Sequence, residues 1–149
     1  MEKYSLLNVL KPFVIDRALV GGYVGAWLEI RPHYPNGPAF GGMVGTARAV
    51  AQFLQDQLRA HSCLLDDSVR PRLFERQTTT AGRPVPMTLG WHIRDTRNGL
   101  TYFKEGGGGG FHCLMSLYPS RGVGSVLMTN ATGFNVTTAV EALDAEDLT

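Results

Sequence analysis

Two periodicities divide the chain. Between residues 41 and 60 apolar positions recur at helical spacing. Ala47, Val50, Phe53 or Leu54, and Leu58 form one stripe, with Arg48, Gln52, Gln55 and Arg59 facing outward. Thr46 stands where a helix needs an N-cap. The spacing predicts an amphipathic helix of about four turns. A second, shorter helix is expected after Leu64-Leu65, capped by Asp67, with Pro71 in its first turn. From residue 87 the period becomes two. Met87, Leu89, Trp91 and Ile93 alternate with Thr88, Gly90, His92 and Arg94, which reads as a half-buried strand. Asn98-Gly99 is a hairpin turn signal, and Leu100 to Lys104 is the return strand. Phe111, Cys113, Met115 and Leu117 alternate with His112, Leu114, Ser116 and Tyr118, Pro119 to Gly122 turn the chain, and Val123 to Thr129 form another strand. Val136, Val140 and Leu143 then return to helical spacing.

The predicted architecture is α+β: an antiparallel meander of three to four strands, an amphipathic helix before it and a C-terminal helix after it. Residues 1–40 are weakly patterned. Leu6, Leu7 and Leu10 have the spacing of a short helix, but Pro12 interrupts it, and Gly21-Gly22, Pro32, Pro35 and Pro38 argue for irregular, extended chain. The division expected is therefore 1–40 and 41–149.

Between two strands lie five consecutive glycines, Gly106 to Gly110. Such a run is costly to order. A phosphate-cradling loop opens a helix, whereas a strand follows here, and no polar spacer marks a linker. The remaining reading is a strand kept bare so that a ligand can lie against its backbone.

Composition narrows the classes. With 44% hydrophobic and 18% charged residues in 149, the chain can build a core. With a net charge of +1 and no basic cluster, nothing implies nucleic acid, and no nucleic-acid partner is expected. No apolar run suits a membrane span, and no signal-peptide pattern opens the chain, so the expected location is the cytoplasm. Two cysteines, Cys63 and Cys113, read as reduced thiols, Cys113 packed in the core. The histidines His33, His61, His92 and His112 are dispersed, with no zinc-ligand spacing, so no metal or cofactor is expected. His92 and His112 fall on polar strand phases and read as solvated. Asp66-Asp67 and Glu141 with Asp144 read as caps or solvated faces, and Trp27 and Trp91 as core.

Several ordered blocks carry a resemblance. Gly41 to Leu54 (GGMVGTARAVAQFL) resembles the "GGLVSTARDLARFL" helix of the penicillin-recognising serine hydrolases, the family of class C β-lactamases, D-alanyl-D-alanine peptidases and related esterases. Leu89-Gly-Trp91 resembles its "GLGW" strand. Lys104-Glu-Gly106 with its glycine-rich continuation resembles the third motif, Lys/His-x-Gly, with Glu105 in place of the usual threonine or small residue. Leu117-Tyr-Pro119, Arg121 to Gly124 and Val126 to Asn130 resemble the strand pair that follows. The resemblance runs from about Gly41 to Leu143.

It implies a role for each of these residues. Lys104 would be the cation near the nucleophile and the substrate carboxylate. The backbone N–H of Gly107 would be one of two oxyanion donors. Gly106, Gly108, Phe111 and His112 would border the acyl group. The ligand expected is a small amide, ester or peptide.

One part of the pattern is not found. The family nucleophile is the serine of Ser-x-x-Lys. None of Ser5, Ser62, Ser68, Ser116, Ser120 or Ser125 is followed by lysine three positions on. Tyr34-Pro-Asn36 has the form of the second motif, Tyr-x-Asn, but stands too near Gly41 to serve as one. The chain thus resembles the C-terminal half of such an enzyme. Its missing neighbours would leave apolar surface and a sheet edge, so a homo-oligomer or a complementing chain is expected. Three functions remain open: a hydrolase with its nucleophile supplied elsewhere, a non-catalytic binding remnant, and an assembly subunit.

Overall fold

The computed structural model describes residues 22–24, 28–30, 43–96 and 99–147. The expected Leu6–Leu10 helix, Trp27, the Tyr34–Asn36 triplet and Asn98 lie outside them. Strands β1 (Gly22–Val24) and β2 (Leu28–Ile30) form an antiparallel pair where irregular chain was expected. Helices α1 (Ala47–Leu58) and α2 (Arg70–Phe74) follow. Strands β3 (His92–Thr96), β4 (Gly99–Gly108), β5 (Phe111–Tyr118) and β6 (Val123–Thr129) form one antiparallel meander in sequence order. Helix α3 (Val136–Asp147) closes the described chain. This is the α+β arrangement read from the sequence.

Helices α1 and α3 cover opposite faces of the meander. Thr46 caps α1 by accepting the Ala49 N–H at 3.2 Å. On the α1 face, Leu54, Trp91 and Leu117 are buried, with Phe53, Leu58, Phe74, Tyr102, Met115 and Val126 around them. Trp91 is stacked between Phe53 and Phe74, each centroid 6.3 Å away. On the opposite face Val136 and Val140 of α3 pack on Leu114, Phe103 and Leu127. The alternation of strand side chains explains the division: odd positions of β5 meet α1 and even positions meet α3.

Helix α2 begins later than expected, and its cap is different. Asp66 rather than Asp67 organises the entry, accepting from the Ser68 N–H at 2.8 Å. Asp67 instead bonds His61 Nδ1 at 2.7 Å. Pro71 does lie in the first turn.

The strand expected from Met87 begins only at His92. Residues 88–91 form a turn in which Thr88 Oγ1 accepts from the Trp91 N–H at 3.0 Å. The alternation was misleading because Met87 and Leu89 are exposed while Thr88 is buried. On α3 the expected inward position Leu143 is 53% exposed, and Asp144, expected to be solvated, is buried. Its carboxylate accepts from the Tyr118 hydroxyl and, at 3.1 Å, from Ser125 Oγ. Glu141 pairs with Arg94, whose guanidinium lies 4.6 Å above the Phe103 ring.

Candidate active site

β4 is ten residues long, but β3 accompanies only its first half. The β3–β4 register ends at His92 opposite Phe103. From Lys104 to Gly108 the strand pairs with β5 alone, so among the described residues its other edge is open. The turn at Gly109-Gly110 fixes which backbone groups reach that edge. Gly108 and Phe111 close a two-residue hairpin and so exchange their hydrogen bonds with each other. Alternation along the ladder then turns both the N–H and the C=O of Gly107, opposite His112, away from β5, and likewise those of Glu105. The expected oxyanion donor, Gly107 N–H, therefore points outward at the open edge.

The glycines are filled from within rather than left bare. A Cβ on Gly106 would meet Cys113 Sγ at 3.2 Å, one on Gly107 would meet His112 Cδ2 at 3.1 Å, and one on Gly108 would meet Phe111 Cε1 at 2.8 Å. Each of three successive β5 side chains occupies the volume its partner has given up, as aromatic side chains do over strand glycines. Gly110 has a different reason: its φ of +88° fits the third position of a type II turn. A ligand thus has the edge of the strand available, and the face is occupied by β5 side chains.

The candidate residues fall on two faces. Lys104, Gly106, Gly108, Phe111 and Cys113 share the α1 side. Lys104 is exposed, and among the described residues no ion pair holds it. Phe111 and Met128, each 45% exposed, add apolar surface on that side. Burial pushes the Cys113 thiol up, and the thiol donates to the Gly106 carbonyl at 3.2 Å. His112 lies on the α3 side with Glu105, so it does not share a face with Lys104. Its Nε2 is 2.7 Å from Glu105 Oε1 and its Nδ1 is 2.9 Å from the Phe134 carbonyl.

Residues after β6 pin the hairpin tip. The Gly110 N–H donates to Thr132 Oγ1 at 2.7 Å, and Thr132 Oγ1 donates to the Gly108 carbonyl at 3.2 Å. The sequence reading missed Glu105, Thr132 and Phe134 as parts of this site. Counting outward from Gly109-Gly110 puts Glu105 and His112 on one face, so that pair was accessible once the turn was placed. The contacts of Thr132 and Phe134 span more than twenty residues and left no local signal. His92 lies tilted against Phe103, with ring centroids 5.3 Å apart. Among the described residues, no group of three His, Cys, Asp or Glu could hold a metal ion, and no helix is long and apolar enough to cross a membrane.

The meander, the helix on each of its faces and the Lys-x-Gly strand together define a serine-hydrolase-like domain. A family model described as Beta-lactamase matches residues 11–148, and the chain belongs to that family. The match begins well before Gly41 and takes in most of the weakly patterned N-terminal segment. No curated protein and no solved structure matches the chain significantly.

Proposed function

We propose that this chain forms the acyl-binding wall of a serine hydrolase acting on amide or ester bonds. The observation that carries the reading is the open edge of β4, where the outward Gly107 N–H stands three residues from the exposed Lys104. A substrate strand can pair with Glu105 and Gly107 in place of the missing β3 residues. The Gly107 N–H then faces the carbonyl oxygen on which charge develops. A donor so placed contributes roughly 10²–10³ in rate in other oxyanion holes. Lys104 offers its ammonium to the substrate carboxylate or to the nucleophile. Gly106, Gly108 and Phe111 border the acyl group on the Lys104 side, and His112 acts on Gly107 from the opposite side. This sequence has no Ser-x-x-Lys, so the nucleophile comes from a position outside that motif or from a complementing chain.

That same absence favours a second reading, a binding or assembly subunit that holds the ligand without cleaving it. Two measurements test the pair. Benzylpenicillin added to ¹⁵N-labelled protein should shift the amides from Glu105 to Phe111, and Lys104→Ala should weaken the effect. Unmoved amides there at saturating probe would sink the wall. Fluorescent penicillin or a fluorophosphonate should label the assembly purified from its native source. Amide shifts without any labelling would leave the binding subunit.

A further inference from the structure

The Glu105–His112 pair is not part of the motif pattern, yet it touches both residues whose backbones reach the open edge. Glu105 is bonded to the ring through its side chain. Gly107 lies directly over it: Cδ2, Nε2 and Cγ of His112 are 3.1, 3.6 and 3.7 Å from where a Gly107 Cβ would be. The two ring nitrogens face a carbonyl and a carboxylate. A carbonyl only accepts, and so does an ionised carboxylate, so a neutral ring can donate to one of these partners and a doubly protonated ring to both.

We propose that His112, bonded between Glu105 and the Phe134 carbonyl, is a positioning residue that sets the angle of the Gly107 N–H at the open edge. The proposal rests on the acyl-wall reading for its purpose, although its geometry is independent of any ligand. Removal of one ring proton turns a lone pair toward either the carboxylate or the carbonyl. One of the two bonds is lost, and the ring tilts beneath a glycine that has no side chain of its own to hold it. Among the described residues, the other charged or titratable groups on this face have partners of their own. Arg94 is paired with Glu141, His92 lies tilted against Phe103, and Asp144 is bonded to Tyr118 and Ser125. Glu105 is the charged group bonded to the ring.

The test is a pH titration of ¹⁵N-labelled protein between pH 5 and 9, following the His112 ring nitrogens and the Gly107 amide together. The Gly107 shift is expected to step at the His112 midpoint. In Glu105→Gln the step should shrink at least twofold, and in His112→Phe it should vanish. Because Glu105 is exposed, the first variant keeps the fold available if the second does not. A folded protein whose Gly107 amide ignores the His112 midpoint overturns the proposal, as does a full step surviving in His112→Phe. Benzylpenicillin is scored separately in the same samples. A pH step without penicillin shifts keeps the positioning role and removes the acyl wall. Penicillin shifts without a pH step do the reverse.

Discussion

The Tyr118 hydroxyl donates to the buried Asp144 carboxylate and so ties the end of β5 to α3 through the interior. Ser125 Oγ on β6 donates to the same oxygen at 3.1 Å. Three elements meet at one carboxylate that is 5% exposed.

Removing the phenol should be costly. Tyr118→Phe leaves Asp144 with Ser125 as its remaining donor, and an under-satisfied buried charge is expensive. Urea denaturation should show a loss of about 1–3 kcal/mol. The pH dependence has a definite sign. Burial first, and then the Asp144 charge, push the Tyr118 phenol well above the ordinary tyrosine range. A group raised in the folded state contributes stability fully present below its unfolded pKa, about 10. That contribution is lost as pH rises through the folded value. Ultraviolet titration should therefore find Tyr118 still protonated where free tyrosine has ionised, and Tyr118→Phe should flatten the alkaline loss of stability.

At Gly124 helix α1 lies close against the sheet. A Cβ there would lie 3.2 Å from Leu54 Cβ, 3.2 Å from Leu117 Cδ2 and 3.3 Å from the Ser116 carbonyl. Backbone and a helical Cβ cannot swing aside, so Gly124→Ala must lift the helix. About 1–3 kcal/mol of destabilisation is expected from such overpacking. Gly108→Ala is the control: its contact is the far edge of the half-exposed Phe111 ring, which can rotate, so its thermal midpoint should fall by less.

The two thiols should differ in reactivity. Cys63 is exposed, whereas burial raises the Cys113 thiol and Glu105 adds to the effect. Since the thiolate is the nucleophile, iodoacetamide at pH 8 followed by peptide mass spectrometry should find Cys63 modified many times faster. Equal rates would show that the β4–β5 tip opens readily.

Gln57 offers a stabilising change. Among the described residues its Nε2 is buried without a partner, beside a cavity of about 240 Å³ bordered by Leu58, Phe74, Tyr102 and Leu117. The Gln57 backbone carbonyl accepts from Arg70 at 2.7 Å and survives substitution. Gln57→Met should raise stability by about 1 kcal/mol, because an unmade buried bond is removed and apolar volume is kept. A lower urea midpoint would instead mean that the amide is satisfied in solution.

The sequence revealed the meander well where two signals agreed. Val123 to Thr129 has both β-branched composition and a Pro119–Gly122 turn before it, and its boundaries match β6. It failed where alternation stood alone: Met87 to Trp91 has strand period, but Thr88 turns back on Trp91. Helix α3 misled for another reason. Leu143 satisfies the helical stripe, but the buried position went to Asp144 because Tyr118 and Ser125 supply donors from strands far along the chain. At the candidate site, Lys104 and the glycines could be found by motif. The direction of the Gly107 N–H required the register, which no local pattern records.

The exchange of volume between β4 and β5 has a consequence for how this strand can change. Gly106 with Cys113, Gly107 with His112, and Gly108 with Phe111 are each a single occupied space shared by two positions. A side chain gained on one strand competes with the one already in place on the other, so substitutions within each pair should be non-additive. A library varying both members of a pair should accept combinations that neither position tolerates singly. The glycine tract would then behave as three linked sites, free to swap which strand carries the bulk.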